Sequence, residues 1–357
     1  MSRIKLFSAK YIWQIATYTL FIVLLAGCSR QEGPVGGNGE ASLRIQEVRI
    51  EQQEQELGGS GNKASARTGA AAPTVQYARA AFSEDFSIDL QLTRETGTPD
   101  VQEGRSPRSV ARSSETRAAL QTTPLPGGKK YRLLVFDDQG DYVTERDYTK
   151  GSESATQELR LDAGKQYTFI GVANYSGSSL PTVSGKSKLA TAAITSTSED
   201  VLYFRAQKTL QFGENNLSIV LKHQFNLITT RIVVDPSARG MLTNIQNVSF
   251  GTGHTSANIQ FSNGGITFNG AHSVRKTLTF PALGAGVLQT ESQPVLLIGP
   301  AQTSASLTIG SMTIAGVTRN NITFSGLTIA PGQKYTLTLT MRTCTLCHRA
   351  INVKLSP

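Results

Sequence analysis

The chain has 357 residues, 39% of them hydrophobic and 17% charged, enough for two domains of ordinary size. Its formal charge of +9 is modest and the basic residues are scattered, which argues against a nucleic-acid partner. Only three cysteines occur, so the fold must be held by burial rather than by a disulfide framework.

The N-terminus carries the best-defined signal. Arg3, Lys5 and Lys10 precede an apolar run from Tyr11 to Leu25, and Leu25-Ala26-Gly27-Cys28 closes it. Basic residues, an apolar core and small residues before a cysteine read as a lipoprotein signal peptide. The run is marginal for a membrane span and lacks a basic stop. Residues 1–27 are therefore expected to be removed, with lipid on the Cys28 thiol. The chain beyond is expected outside the cytoplasm, tethered by lipid to a bacterial membrane.

Residues 28–85 read as a flexible tether. A short strand is conceivable over Leu43–Ile50, and the Gln/Glu-rich and Gly/Ser/Ala-rich sequence beyond it has linker composition. Phe86, Ile88, Leu90 and Leu92 alternate with Ser87, Asp89 and Gln91, the pattern of a half-buried strand. A second low-complexity stretch covers 93–128. From Ala64 to Gly128 the only basic residues are arginines, at 67, 79, 94, 105, 108, 112 and 117. By composition this is a solvated basic linker; the alternative is a segment open to an Arg-specific protease.

From Lys129 the chain is dense in strand patterns. Tyr131–Phe136 is apolar on both faces, as in a central strand, and Asp137–Gly140 turns it into Tyr142-Val143. Leu159–Leu161 and Tyr167–Ile170 flank a turn at Ala163-Gly164 and read as a further hairpin. Residues 176–198 are irregular, with a short helix expected around 187–194. A new series of strands begins at Leu217: 217–221, 227–234, 245–250, 257–261, 274–280, 294–298, 305–309, 322–329 and 334–342. The class is all-β, with a domain boundary expected in 200–216 and drawn after residue 205. Leu161–Phe169 and Ile329–Leu337 resemble each other: each is an apolar strand end, a Gly turn, then Tyr-Thr opening a strand.

No enzyme constellation emerges. His223, His254 and His272 are far apart in sequence, and Asp137, Asp138 and Asp141 fit a turn better than a Ca²⁺ loop. Cys344-Thr345-Leu346-Cys347-His348 matches the C-x-x-C-H pattern of haem attachment. No helical pocket surrounds it, and the residues that follow offer no second axial ligand, so it reads as an incidental pair or a Cys344–Cys347 disulfide. No cofactor and no metal site are expected.

The order of elements resembles the fimbrillin superfamily. A lipobox comes first, then the isolated strand Phe86–Leu92, an Arg-bearing loop, Tyr131–Asp137, Leu161–Asn174, Asp200–Tyr203 and Leu221-Lys222-His223. The resemblance implies two transthyretin-like β-sandwich domains, here 86–205 and 206–357, in a pilin subunit or Mfa-like lipoprotein of bacterial fimbriae. It implies that a lipid-anchored precursor reaches the outer membrane, that an Arg-specific protease removes the first strand, here Phe86, Ile88, Leu90 and Leu92, and that a strand from another subunit fills the groove. The cut would fall at Arg117 or Arg112, with Arg108, Arg105 and Arg94 less favourable. The rival reading is a permanently anchored surface lipoprotein that binds a glycan or host protein. Thr343–Pro357 departs from the expected donor strand, although Ile351, Val353 and Leu355 alternate briefly.

Overall fold

A computed structural model describes residues 39–52, 75–95 and 121–343. The chain divides by contacts after Gly39, and every described strand lies in the second unit, Glu40–Pro357. In chain order the strands are β1 (Glu40–Gln52), β2 (Val75–Ala81), β3 (Phe86–Arg94), β4 (Gln121–Pro124), β5 (Lys130–Phe136), β6 (Tyr142–Thr149), β7 (Leu159–Asp162), β8 (Gln166–Asn174), β9 (Val183–Ser184), β10 (Ala193–Thr197) and β11 (Val201–Thr209). They continue as β12 (Gly213–His223), β13 (Asn226–Val234), β14 (Leu242–Gly253), β15 (Ser256–Gln260), β16 (Ile266–Asn269), β17 (Val274–Thr277), β18 (Gln289–Glu291), β19 (Val295–Leu297), β20 (Gln302–Ile314), β21 (Val317–Ile329) and β22 (Lys334–Thr343). Among the described residues the only helical turns are short 3-10 pieces at Glu153–Ala155 and Pro236–Ala238. The class is all-β.

Four sheets result. The first has the order β4-β1-β12-β11-β8-β5-β6, with β7 also on β1. The second is β16-β15-β10-β9, the third β18-β13-β22-β3-β2 with β19 on β13, and the fourth β17-β14-β20-β21. β5 is apolar on both faces because it serves two cores. Tyr131, Leu133 and Val135 join the cluster beside β1 and β12, whereas Leu134 and Phe136 meet Ile194, Ile259 and Phe261 of the second sheet. The largest cluster joins the third and fourth sheets. There the alternation of β22 is complete: Tyr335, Leu337, Leu339 and Met341 are buried, and the threonines between them lie on the other face.

Several expectations are corrected. Phe86–Leu92 does not join the sheet of β5 and β8. β3 runs antiparallel to β22, with Leu90 opposite Leu339, and pairs with β2 on its other edge. Period-2 alternation specifies a buried face but not the sheet that buries it. The stretch assigned to a tether holds two strands, β1 and β2. β1 lies inside the first sheet, parallel to β12. A bulge between Ile45 and Glu47 shifts its phase, so Ala41 and Leu43 before it and Val48 and Ile50 after it all reach one core.

The passage to the third sheet comes later than 200–216. β11 and β12 both stay in the first sheet, and the chain crosses at Gln224 and the buried Phe225. Leu217, Ile219 and Leu221 do begin a new alternating run, yet they face the cluster built by β1 and β5. β7 and β8 do not form a hairpin. The Gly164 turn, at φ +81°, sends β7 to β1 while β8 enters between β5 and β11. No helix forms at 187–194. The amides of Thr191 and Ala192 close a single turn onto the Lys188 carbonyl, and β10 follows at once.

The two similar segments share a device. The Tyr167 hydroxyl accepts a hydrogen bond from the Asp162 amide at 3.2 Å, and the Tyr335 hydroxyl accepts one from the Ala330 amide at 2.9 Å. Each Tyr ring is buried, and its oxygen satisfies a backbone donor at the corner of a Gly turn. Burial pushes the Tyr335 phenol upward from its ordinary pKa. Tyr335→Phe should therefore cost about 1–3 kcal/mol, the penalty of leaving the Ala330 amide unpaired. Tyr167→Phe should cost less, because its longer bond sits at a more exposed corner. Urea midpoints of the two variants check this.

Candidate functional site

The segment upstream of the Arg-rich stretch enters two sheets. β1 is sandwiched in the first between β12 on one edge and β7 and β4 on the other. Its apolar side chains Ala41, Leu43, Val48 and Ile50 are buried. Its charged side chains make surface pairs, Arg44 with Glu214 at 3.3 Å and Arg160 with Glu40 at 3.3 Å. Such exposed pairs contribute little, so β1 is held by its backbone ladder and apolar face.

The β2–β3 hairpin completes the third sheet. Ile88, Leu90 and Leu92 are buried against Leu337, Leu339 and Met341, with Phe82 closing the hairpin end; Phe86 is only partly buried. On the opposite face Asp89 takes a two-pronged contact from Arg79, whose guanidinium is held above its ordinary pKa by that hydrogen bond. At the outer edge Gln76 stands in for a strand. Its side-chain amide donates to the Thr328 carbonyl at 2.7 Å and accepts from the Thr328 amide at 2.8 Å. A single side chain thus satisfies one peptide unit of β21 and ties the third sheet to the fourth.

A cleft of about 800 Å³ opens beside β1 where β7 ends at Leu43 and β4 begins opposite Arg49. Residues 44–47 have no strand partner on that side among the described residues. The walls include Ile45, Tyr148, Glu153 and Glu158. The Tyr148 ring stacks on Tyr131 at 5.3 Å, and burial, together with the nearby Glu153 carboxylate, drives the Tyr131 phenol well above its ordinary pKa.

Of the candidate cleavage arginines, Arg94 lies in β3 opposite Tyr335 and is buried, so no extended chain is presented there. Arg105, Arg108, Arg112 and Arg117 lie outside the described residues, as do Cys28, Cys344, Cys347 and His348. The displaced-strand residues Phe86, Ile88, Leu90 and Leu92 are all in place in β3, but on the third sheet.

Two of the three histidines, far apart in sequence, meet in the fold, and the third stands apart from them. His223 Nδ1 is 2.9 Å from Asp200 Oδ1, both buried, with the Tyr175 ring edge-on at 4.9 Å. Tyr175 in turn carries Lys334 Nζ over its face, 4.0 Å from the ring centre. This cluster ties the end of β12 to the start of β22. His254 and His272 stack on each other at 4.9 Å. Seventeen residues lie between them, and no local spacing signals the pair. The Asp137 carboxylate accepts the amides of Gln139 and Asp141, which is turn chemistry. Among the described residues no group of three or more His, Cys, Asp or Glu side chains gathers to hold a metal ion.

No family model and no curated protein matches the chain. Solved structures do align with it. A candidate cell adhesion protein from Bacteroides fragilis aligns at a TM-score of 0.41 and 15% identity, over 70% of this chain and 91% of that one. A candidate cell adhesion protein from Bacteroides uniformis aligns at 0.42 and 14% identity, over 61% and 91%. A fimbrial assembly protein from Parabacteroides distasonis aligns at 0.34 and 12% identity, over 59% and 83%.

Proposed function

We propose that this chain is a structural subunit of bacterial surface fimbriae, or a lipoprotein associated with them, that assembles by protease-triggered strand exchange and supports adhesion. One observation carries the reading: residues 40–94 supply an internal strand to the first sheet and a hairpin to the third. They are joined to the rest of the chain through the arginine-bearing stretch 96–120. A cut in that stretch leaves β1, β2 and β3 held by non-covalent contacts alone: their ladders, their apolar faces, surface ion pairs and the Gln76 contact with β21. Their departure, with the lipid expected on Cys28, uncovers an edge of β12 and an edge of β22. An open edge above an exposed apolar core is costly until another strand supplies backbone hydrogen bonds and alternating side chains. The donor in this reading is a strand from another subunit.

The test is limited digestion of the purified precursor with an Arg-specific protease, followed by mass spectrometry of the new N-terminus and electron microscopy of the product. A new N-terminus at Ala118 or Ser113, release of 40–94 and appearance of filaments are expected. Resistance of Arg105–Arg117 under conditions that digest the denatured chain would overturn the reading in favour of a permanently anchored protein that binds a glycan or host protein. Cleavage without release or assembly would do the same.

A further inference from the structure

We propose that His254 and His272 form a binding site for a borderline divalent transition-metal ion, Zn²⁺, Ni²⁺ or Cu²⁺, with two imidazole ligands and water in the remaining positions. His254 sits in the turn between β14 and β15, and His272 in the turn between β16 and β17. Their rings lie 4.9 Å apart with planes 23° from parallel. On its other face His254 stacks on Phe268 at 5.1 Å and 17°. Phe268 packs against the core between the first and second sheets, so the column has an anchored base.

The tautomer of His254 follows from its partner. Nδ1 is 2.9 Å from the Gly270 carbonyl oxygen, which can only accept, so Nδ1 carries the proton. The lone pair is therefore on Nε2, the arrangement in which a carbonyl orients a metal-binding imidazole. The turn that supplies this carbonyl is itself held in place. Gly270 has φ +81°, a side chain there would press within 2.9 Å of Thr255 Oγ1, and the His254 amide is tied to the Ile298 carbonyl at 2.7 Å. His272 is exposed beside it and can rotate its lone pair to the same ion. No third His, Cys, Asp or Glu joins them among the described residues, so the site is open and holds no carboxylate or thiolate. Neutral nitrogen donors select Zn²⁺, Ni²⁺ and Cu²⁺ over Ca²⁺ and Mg²⁺, which require oxygen cages.

The experiment is calorimetric titration of the untagged full chain with NiCl₂ and ZnCl₂ at pH 7.5, repeated on His254→Gln, His272→Gln and the triple variant Cys344→Ser/Cys347→Ser/His348→Gln. One ion per chain is expected at the stack. Each single His variant should weaken it by about tenfold or more, and the triple variant should leave it unchanged. With Cu²⁺, the electron paramagnetic resonance spectrum should show coupling to two imidazole nitrogens, reduced to one in His272→Gln. His272 is exposed in a turn, so that variant keeps the fold even if His254→Gln does not. Binding that survives His272→Gln unchanged, or that disappears only in the triple variant, would overturn the proposal.

Discussion

Leu90→Asp is expected to leave the chain without a stable third sheet. Leu90 is fully buried, lies opposite Leu339 of β22 and Ala78 of β2, and belongs to the largest apolar cluster. Removing its side chain in Leu90→Ala should cost about 2–5 kcal/mol, the transfer term plus the cavity left behind. An aspartate adds a buried charge with Leu339 and Ala78 directly opposite it, a further cost of several kcal/mol against a typical total stability of about 5–15 kcal/mol. Asp89→Ser, one residue away, loses only surface contacts with Arg79 and Arg342 and should change stability by no more than about 1 kcal/mol. Phe86→Asp should fall between them, because Phe86 is half-buried. Chemical unfolding ranks the variants. Hydrogen exchange of Leu90→Ala locates the damage: amides of Thr336–Met341 should lose protection while those of Tyr131–Phe136 keep it. The reverse pattern would mean that β3 docks on the first sheet.

Ile50→Ala should destabilise the chain by about 2–5 kcal/mol, although by composition it lies in a linker. Ile50 is 2% exposed, sits opposite Leu221 of β12 and Thr123 of β4, and packs in the cluster shared with β5 and β8. Gln46, at the bulge, is exposed, and Gln46→Ala should shift stability by no more than about 0.5 kcal/mol. The urea midpoint of each variant, at unchanged slope, measures the difference. Equal midpoints would show that β1 is not part of the first sheet. Because β1 is flanked on both edges, its loss should also expose more surface than the loss of an edge strand such as β6.

The sequence by itself determined which stretches are extended and which of their faces are apolar. Tyr335–Met341, Phe86–Leu92 and Tyr131–Phe136 were legible because a strand's side chains alternate by local geometry. The Gly turns at 164 and 332, each followed by a buried Tyr, were legible for the same reason: a left-handed residue and a corner hydrogen bond are local needs. Partnership was decided only by the tertiary structure. The hydrogen bonds of a strand go to residues of no fixed separation, and two pairings here, β1 with β12 and β13 with β22, are parallel and have no connecting turn to read. Hence β3 carried a clear pattern but no address. β1 was obscured further by its bulge, which inserts one residue and moves the second half of its pattern out of phase with the first. His254 and His272 meet for the same reason: strands with no shared motif bring their turns to one end of a sheet, and only the folded chain sets two imidazoles 4.9 Å apart.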